Sequence, residues 1–240
     1  MAASDQETGP PYGDTTVSHR WKAIGTCLNL VLLIAVAGCG DGNQSPTAAL
    51  SGSGGAAPTP GDALPKLPSD PQHPVVLIET SLGNITVSLD VEKAPITVGN
   101  FLSYVGIGHY DQTIIHQVYK GQGFLAGGYG TNLVAKPGRT PIFNEARNGV
   151  KNRRGTISMV RVPDDRDSAT CQFFINVADN PALDHQDDTP EGYGYCVFGE
   201  VVKEGLDVID AIANTQVRDT TDFERTPVEA IVVKSIRRIR

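Results

Sequence analysis

The chain has 240 residues, of which 40% are hydrophobic and 20% charged, with 26 glycines and 16 prolines. This composition excludes collagen, a coiled coil and a wholly disordered polymer, and it allows one or two globular domains. The formal net charge of −7 provides no overall attraction for polyanions, so a nucleic-acid partner is not expected.

Residues 1–38 have the pattern of an export signal. Positive charges at His19, Arg20 and Lys22 precede an apolar run of 16 residues, Ala23 to Gly38. A membrane-spanning helix needs about 20 apolar residues, so a permanent span is the weaker interpretation. Val36-Ala37-Gly38-Cys39 resembles the lipobox of bacterial lipoproteins, which implies that Cys39 becomes the lipidated first residue. The alternative is an incidental thiol after an ordinary cleavable signal.

Residues 39–74 are rich in serine, glycine, alanine, threonine and proline, with almost no large apolar side chains. Such a segment cannot bury enough apolar surface to offset the entropy lost on ordering, so we predict a disordered linker. Residues 75–240 are then the folded domain.

The domain is predicted to be mainly β. Short β-branched runs bounded by turn residues predict eight strands, and two stretches with helical periodicity predict helices at Pro95–Val105 and Leu206–Ala213. A closed barrel fits this pattern because closure leaves no exposed strand edge. The predicted strands are Val75–Thr80, Ile85–Leu89, Thr113–Val118, Phe124–Gly127, Thr156–Val160, Gln172–Asn176, Tyr195–Val202 and Ile231–Ile239.

Several strings in this domain resemble the cyclophilin-type peptidyl-prolyl cis-trans isomerases, in particular the exported bacterial branch. The strongest runs from Asp167 to Asn176 (DSATCQFFIN), and others follow the family's order over about 160 residues. The resemblance implies a closed eight-stranded antiparallel barrel with two capping helices and a substrate groove on one outer face. The other strings are Glu79–Ile85, Ala94–Phe101, Phe143–Ala146, Arg154–Met159, Leu183-Asp184 and Tyr195–Gly199.

The implied chemistry is rotation about the amide bond that precedes proline. Its two isomers differ by about 1 kcal/mol but are separated by roughly 18 to 20 kcal/mol. The catalyst must favour the twisted amide over both planar forms. In the family, an apolar cup holds the proline ring and an arginine donates a hydrogen bond near the prolyl nitrogen. The resemblance implies no metal and no organic cofactor.

The sequence departs from the family at the centre of this site. An ungapped match of Ile115–Tyr129 places Gln117 at the arginine position, Gln122 at the phenylalanine that walls the cup, Gly123 at a methionine and Leu125 at a glutamine. A shifted alignment could place Phe124 in the cup but could not restore an arginine. A charge-assisted donor is roughly twice as strong as a neutral one, so we expect weakened activity.

Four other positions match pocket residues of the family, namely Gln172, Phe174, Leu183 and Tyr195. Phe173 and Phe174 alternate across a strand, so one should fill the barrel and the other face the groove. Tyr195 is equally plausible as a groove wall and as an ordinary strand residue. His116 is a retained candidate for catalysis, although a packed strand residue is the more common role because the reaction needs no titrating group.

The remaining polar features have ordinary interpretations. The acidic loops at 164–167 and 184–188 lack EF-hand spacing and are expected to be solvated charges, so no metal site is predicted. An exported compartment would permit a bridge between Cys171 and Cys196, and two buried thiols are about as plausible.

The sequence therefore favours a cyclophilin-like isomerase that assists the folding of exported proteins. It would be a lipoprotein anchored to a membrane of the cell envelope through Cys39, periplasmic or on the outer surface. Its ligands would be proline-containing segments of extracytoplasmic proteins. Two alternatives are a non-catalytic module that binds proline peptides and an inert scaffold attached to the envelope.

Overall fold

A computed structural model describes residues 70–240, which contain eleven strands, two α-helices and three short 3-10 helices. The sequence-based prediction for Cys39 and the signal lies outside these residues. The helices are α1 (Pro95–Gly106) and α2 (Leu206–Ala213), and both are too short to cross a bilayer. The strands are β1 (Val75–Thr80), β2 (Gly83–Leu89), β3 (Thr113–Ile115), β4 (Gln117–Tyr119), β5 (Gly123–Ala126), β6 (Thr156–Met159), β7 (Phe173–Asn176), β8 (Val197–Val201), β9 (Val217–Arg218), β10 (Thr226–Pro227) and β11 (Ile231–Arg238).

Nine of these strands form one antiparallel sheet in the order β3-β11-β1-β2-β8-β6-β7-β5-β4. Its two ends are brought together by the chain itself, because β3 runs into β4. The Ile114 amide also donates to the Tyr129 carbonyl at 3.0 Å, just beyond β5. The sheet is thus a nearly closed barrel, as predicted.

The large sheet has nine strands where eight were predicted, because a single predicted strand, Thr113–Val118, is split at His116. Before this residue the chain pairs with β11, and after it the chain pairs with β5. His116 therefore lies where the backbone changes partners across the seam of the barrel.

The barrel interior is filled by inward-facing residues of every strand together with α1. Phe101 of α1 is fully buried, and its ring lies 5.2 Å from Tyr110, 5.8 Å from Phe173 and 5.2 Å from Phe198, measured between ring centroids. The apolar spacing of α1 directs this face toward the core, and Pro95 begins the helix, where its missing N–H costs nothing.

The sequence did not predict β9 and β10, which pair as a two-stranded hairpin beside the barrel. Each has two residues, too few for a hydrophobic pattern. Their connection, residues 219–225, lies against β4, because the Val118 amide donates to the Arg225 carbonyl at 3.0 Å.

Candidate active site

A small apolar cluster lies on the outer wall of the barrel, separate from the core. We call it the outer cluster; its buried members are Tyr119, Leu125, Val160 and Phe174, with Leu183 packed against them. Strand alternation produces this arrangement, because neighbours such as Val118, Phe124 and Phe173 belong to the core. Phe173 therefore fills the barrel and Phe174 faces outward.

Gln117 lies on the outward face of β4, the face that carries Tyr119 two residues later. Gln117 pairs with Leu125 of β5, and it is only 4% exposed. The position that the alignment assigns to the family's arginine is thus held by an uncharged amide beside the outer cluster.

Phe174 is 3% exposed, and its ring covers the backbone of Gly123. A Cβ atom at Gly123 would lie 2.4 Å from Cζ of Phe174 and 2.2 Å from the Ile175 carbonyl oxygen. The space that the family's methionine would need is therefore occupied by the phenylalanine ring and by the neighbouring strand.

Gln122 is exposed and lies in the three-residue connection between β4 and β5. Its backbone is well held, because its amide donates to Tyr119 and its carbonyl accepts bonds from the Val177 amide and Asn180 Nδ2. The side chain is not among the members of the outer cluster. The position thus supplies a structured hairpin but no apolar wall.

His116 is buried in an aromatic group beside the outer cluster. Its ring lies 4.7 Å from Tyr129 and 5.5 Å from Phe223, and the Tyr129 and Phe223 rings are 4.6 Å apart. Burial lowers the pKa of His116 to about 4, against smaller opposing effects of interactions with Ile114 and Gln172. The imidazole is therefore neutral near pH 7, which suits a packed ring better than an acid.

Gln172 is half-buried at the edge of β7, with its side chain over the backbone of Gly128. A Cβ atom at Gly128 would approach Cγ and Cδ of Gln172 to 2.7 Å. The absence of a Cβ at Gly128 thus permits the close approach of this glutamine side chain to the backbone.

Leu183 packs against the outer cluster, and the half-buried Tyr195 lies beside Leu183. The Tyr195 amide donates to the Leu183 carbonyl at 2.8 Å, which joins the two segments. Burial raises the pKa of the Tyr195 phenol, and the guanidinium carbon of Arg161 lies 5.0 Å from the centre of its ring. Arg161 is itself committed to backbone carbonyls, including those of Gly194 and Pro163 at 2.8 and 2.6 Å, so it holds the loop in place.

Sequence reasoning missed three residues of this region, namely Tyr119, Val160 and Arg225. Tyr119 could have been found, since it lies two residues beyond Gln117 on one strand and must share its face. Arg225 could not, because its contact with Tyr119 links positions far apart in the chain: its guanidinium carbon lies 4.8 Å from the centre of that ring.

Carboxylates of the acidic loops accept hydrogen bonds from the backbone of other segments. Asp167 accepts the Asn144 amide and Asp184 accepts the Asn152 amide, at 2.9 and 2.7 Å. Across residues 70–240, no group of three or more His, Cys, Asp or Glu side chains could hold a metal ion. Cys196 is a buried free thiol that accepts a bond from the Thr97 hydroxyl, so it does not form a bridge with Cys171.

The structure places the chain among the antiparallel β-barrel proteins, with an apolar cluster on the outer wall of the barrel. The sequence profile described as "Cyclophilin type peptidyl-prolyl cis-trans isomerase/CLD" matches residues 75–238. The chain belongs to this family of isomerases.

Individual relatives agree. The chain is 46% identical over 165 residues to peptidyl-prolyl cis-trans isomerase A of Dickeya dadantii, covering 69% of this chain and 84% of the relative. It is 41% identical over 162 residues to isomerase B of Escherichia coli, covering 68% and 98%.

Among solved structures, a Cryptosporidium parvum cyclophilin in the presence of the dipeptide Ala-Pro matches with a TM-score of 0.58. The identity is 25%, and the match covers 69% of this chain and 99% of that one.

Proposed function

We propose that this isomerase is exported, anchored to a membrane of the cell envelope through Cys39, and acts on proline-containing segments of extracytoplasmic proteins during their folding. We further propose that its activity is weakened. The observation that carries the proposal is the outer cluster with Gln117 beside it: an apolar surface for a proline ring, next to an amide in place of a guanidinium.

The expected weakening has a direct physical origin. As the amide twists, its nitrogen lone pair is released from conjugation and becomes basic, so a donor close to it stabilises the transition state. Gln117 offers a neutral N–H, which is a weaker donor than a guanidinium. In other enzymes, removal of one preorganised donor lowers the rate by about 10² to 10³. The exposed Gln122 also reduces the apolar area available to the substrate.

Exchange NMR on an Ala-Pro peptide with the full chain tests the function. Catalysis broadens or exchanges the cis and trans signals, whereas shift changes without exchange would support the alternative, a module that only binds. Gln117 and Gln122 are the observations that favour this alternative. A peptide that neither shifts nor exchanges would support an inert scaffold and contradict the proposal.

The variant Gln117→Arg tests the weakening itself. We expect kcat/KM to rise by about 10- to 100-fold, because a charged donor replaces a neutral one. Gln216→Arg is the matched control, since Gln216 is exposed beyond α2 and should leave the rate unchanged. A wild-type rate equal to that of the Gln117→Arg variant would contradict the weakened activity.

The anchor has an independent test in the intact mass of protein extracted from membranes. Lipidation at Cys39 predicts a mature chain of residues 39–240 plus the mass of the lipid. A cleaved but unmodified N-terminus would remove the anchor and leave the isomerase proposal untouched.

A further inference from the structure

The outer cluster contains no charged side chain of its own, yet one guanidinium lies directly on it. The guanidinium carbon of Arg225 is 4.8 Å from the centre of the Tyr119 ring, a stacking distance for arginine on an aromatic face. Tyr119 belongs to the outer cluster and lies on the same strand face as Gln117. The cation thus lies one aromatic ring away from the candidate substrate surface.

The loop of residues 219–225 is built to hold this arginine in place. The Arg225 amide donates to Asp219 Oδ1 at 2.9 Å, and its carbonyl accepts the Val118 amide at 3.0 Å. The Phe223 ring packs against both Tyr129 and His116. Both ends of the loop are joined by β9 and β10, so Arg225 is positioned by backbone bonds rather than by its own side chain.

Arg225 also has a left-handed backbone conformation, with φ at +55°, which residues other than glycine seldom adopt. Such a conformation persists only where the surroundings impose it, and it is concentrated at functional positions. A strained backbone that places a half-buried cation on an apolar groove is the arrangement expected of a preorganised donor.

The donors of this guanidinium are available. Within residues 70–240, no hydrogen bond or ion pair is formed by the Arg225 side chain, whereas Arg154 is paired with Asp210 and Arg161 is committed to backbone carbonyls. The acidic residue nearest in sequence is Glu224. It raises the pKa of Tyr119, whereas Arg225 lowers that pKa and has the larger effect.

We propose that Arg225 compensates in part for the arginine that β4 lacks, by donating guanidinium hydrogen bonds from the loop to the backbone of a bound proline segment. This inference rests on the proposed function. Gln117 would approach the substrate from β4 and Arg225 from the loop of residues 219–225. The remaining activity would then depend on a residue outside β4, the strand that holds the position of the family's arginine.

The experiment measures exchange of an Ala-Pro peptide by the full chain and by Arg225→Gln. We expect kcat/KM to fall by at least about tenfold in the variant, because a preorganised charged donor is lost. Arg218→Gln is the matched control: Arg218 is exposed on β9 of the same hairpin and should retain the wild-type rate. A loss below about fivefold in Arg225→Gln, or an equal loss in Arg218→Gln, would overturn the inference.

Two further measurements separate chemistry from folding. Thermal unfolding shows whether Arg225→Gln remains folded, and Arg225→Lys, which keeps the charge, should recover part of the rate even if Arg225→Gln is less stable. Adding Gln117→Arg to Arg225→Gln should restore exchange, since the new guanidinium would then serve the same groove in place of the one removed. Failure of this rescue in a folded double variant would assign Arg225 a structural role. If the wild type shows neither exchange nor binding, the proposed function fails first, and this inference fails with it.

Discussion

At the scale of single residues, His116 has the surroundings of a packed aromatic side chain. It lies at the seam of the barrel, surrounded by the rings of Tyr129 and Phe223, and burial lowers its pKa to about 4. An imidazole that remains neutral near pH 7 cannot serve as a proton donor there. Its ionisation should therefore appear in stability rather than in rate.

The pH dependence of unfolding tests this role. An unfolded histidine has a pKa of about 6.5, so between pH 6.5 and 4 the unfolded chain binds the proton more readily than the folded chain. The contribution of the neutral His116 to the free energy of unfolding is therefore complete above pH 6.5, and it is lost as the pH falls from 6.5 to 4. We expect the free energy of unfolding to drop by about 2 kcal/mol more between pH 7 and 5 in the wild type than in His116→Gln. Urea titrations at both pH values measure this difference; equal drops would show that His116 does not titrate in this window.

At the scale of elements, α1 depends on a residue from a distant loop. Its N-terminal amides lack a side-chain cap from their own segment. Glu145 provides it instead: its carboxylate accepts the amides of Ile96 and Thr97 at 3.1 and 2.8 Å, and the Thr97 hydroxyl at 2.7 Å. The negative charge also lies at the positive end of the helix dipole. The string Phe143–Ala146 of the family thus has a structural function.

Replacing this cap should destabilise the protein without changing its groove. We expect Glu145→Ala to lower the free energy of unfolding by about 1 to 2 kcal/mol, the usual cost of losing a helix cap. Glu92→Ala, an exposed acidic residue shortly before α1, should cost less than about 0.5 kcal/mol. Denaturant unfolding of both variants measures the difference, and similar values for the two would show that Glu145 is not a cap.

The same scale shows what the sequence could and could not predict. The bounds of β1 and α2 follow from their hydrophobic patterns, and the structure has them at the predicted residues. Leu125, Phe174 and Leu183 lie together in the outer cluster, whereas Gln122 is exposed. The contact of Arg225 with Tyr119 depends on how a loop folds back across the barrel wall, and no local pattern encodes that distance.

At the scale of the whole molecule, one side chain links the helix to distant parts of the barrel. Phe101 contacts Tyr110 before β3, Phe173 of β7 and Phe198 of β8. These contacts join segments that are far apart in sequence. The interior is closely packed, so a smaller side chain at position 101 would leave a cavity. The barrel and α1 should therefore unfold together.

The variant Phe101→Ala tests this link. We expect a loss of about 3 to 5 kcal/mol in the free energy of unfolding, from lost burial and the cavity left behind. Phe143→Ala is the matched control, because Phe143 is 52% exposed and should cost less than about 0.5 kcal/mol. Urea unfolding monitored by two probes should show one shared transition. A transition for the helix separate from that of the strands would contradict the link.

The phenylalanine ring lying across Gly123 has an evolutionary consequence. Any larger residue at position 123 must displace both that ring and the carbonyl of the adjoining strand, so a methionine there also requires changes around it. The two positions are epistatic, and their effects should be far from additive in a double-mutant cycle. A library that varies position 123 should therefore vary position 174 at the same time.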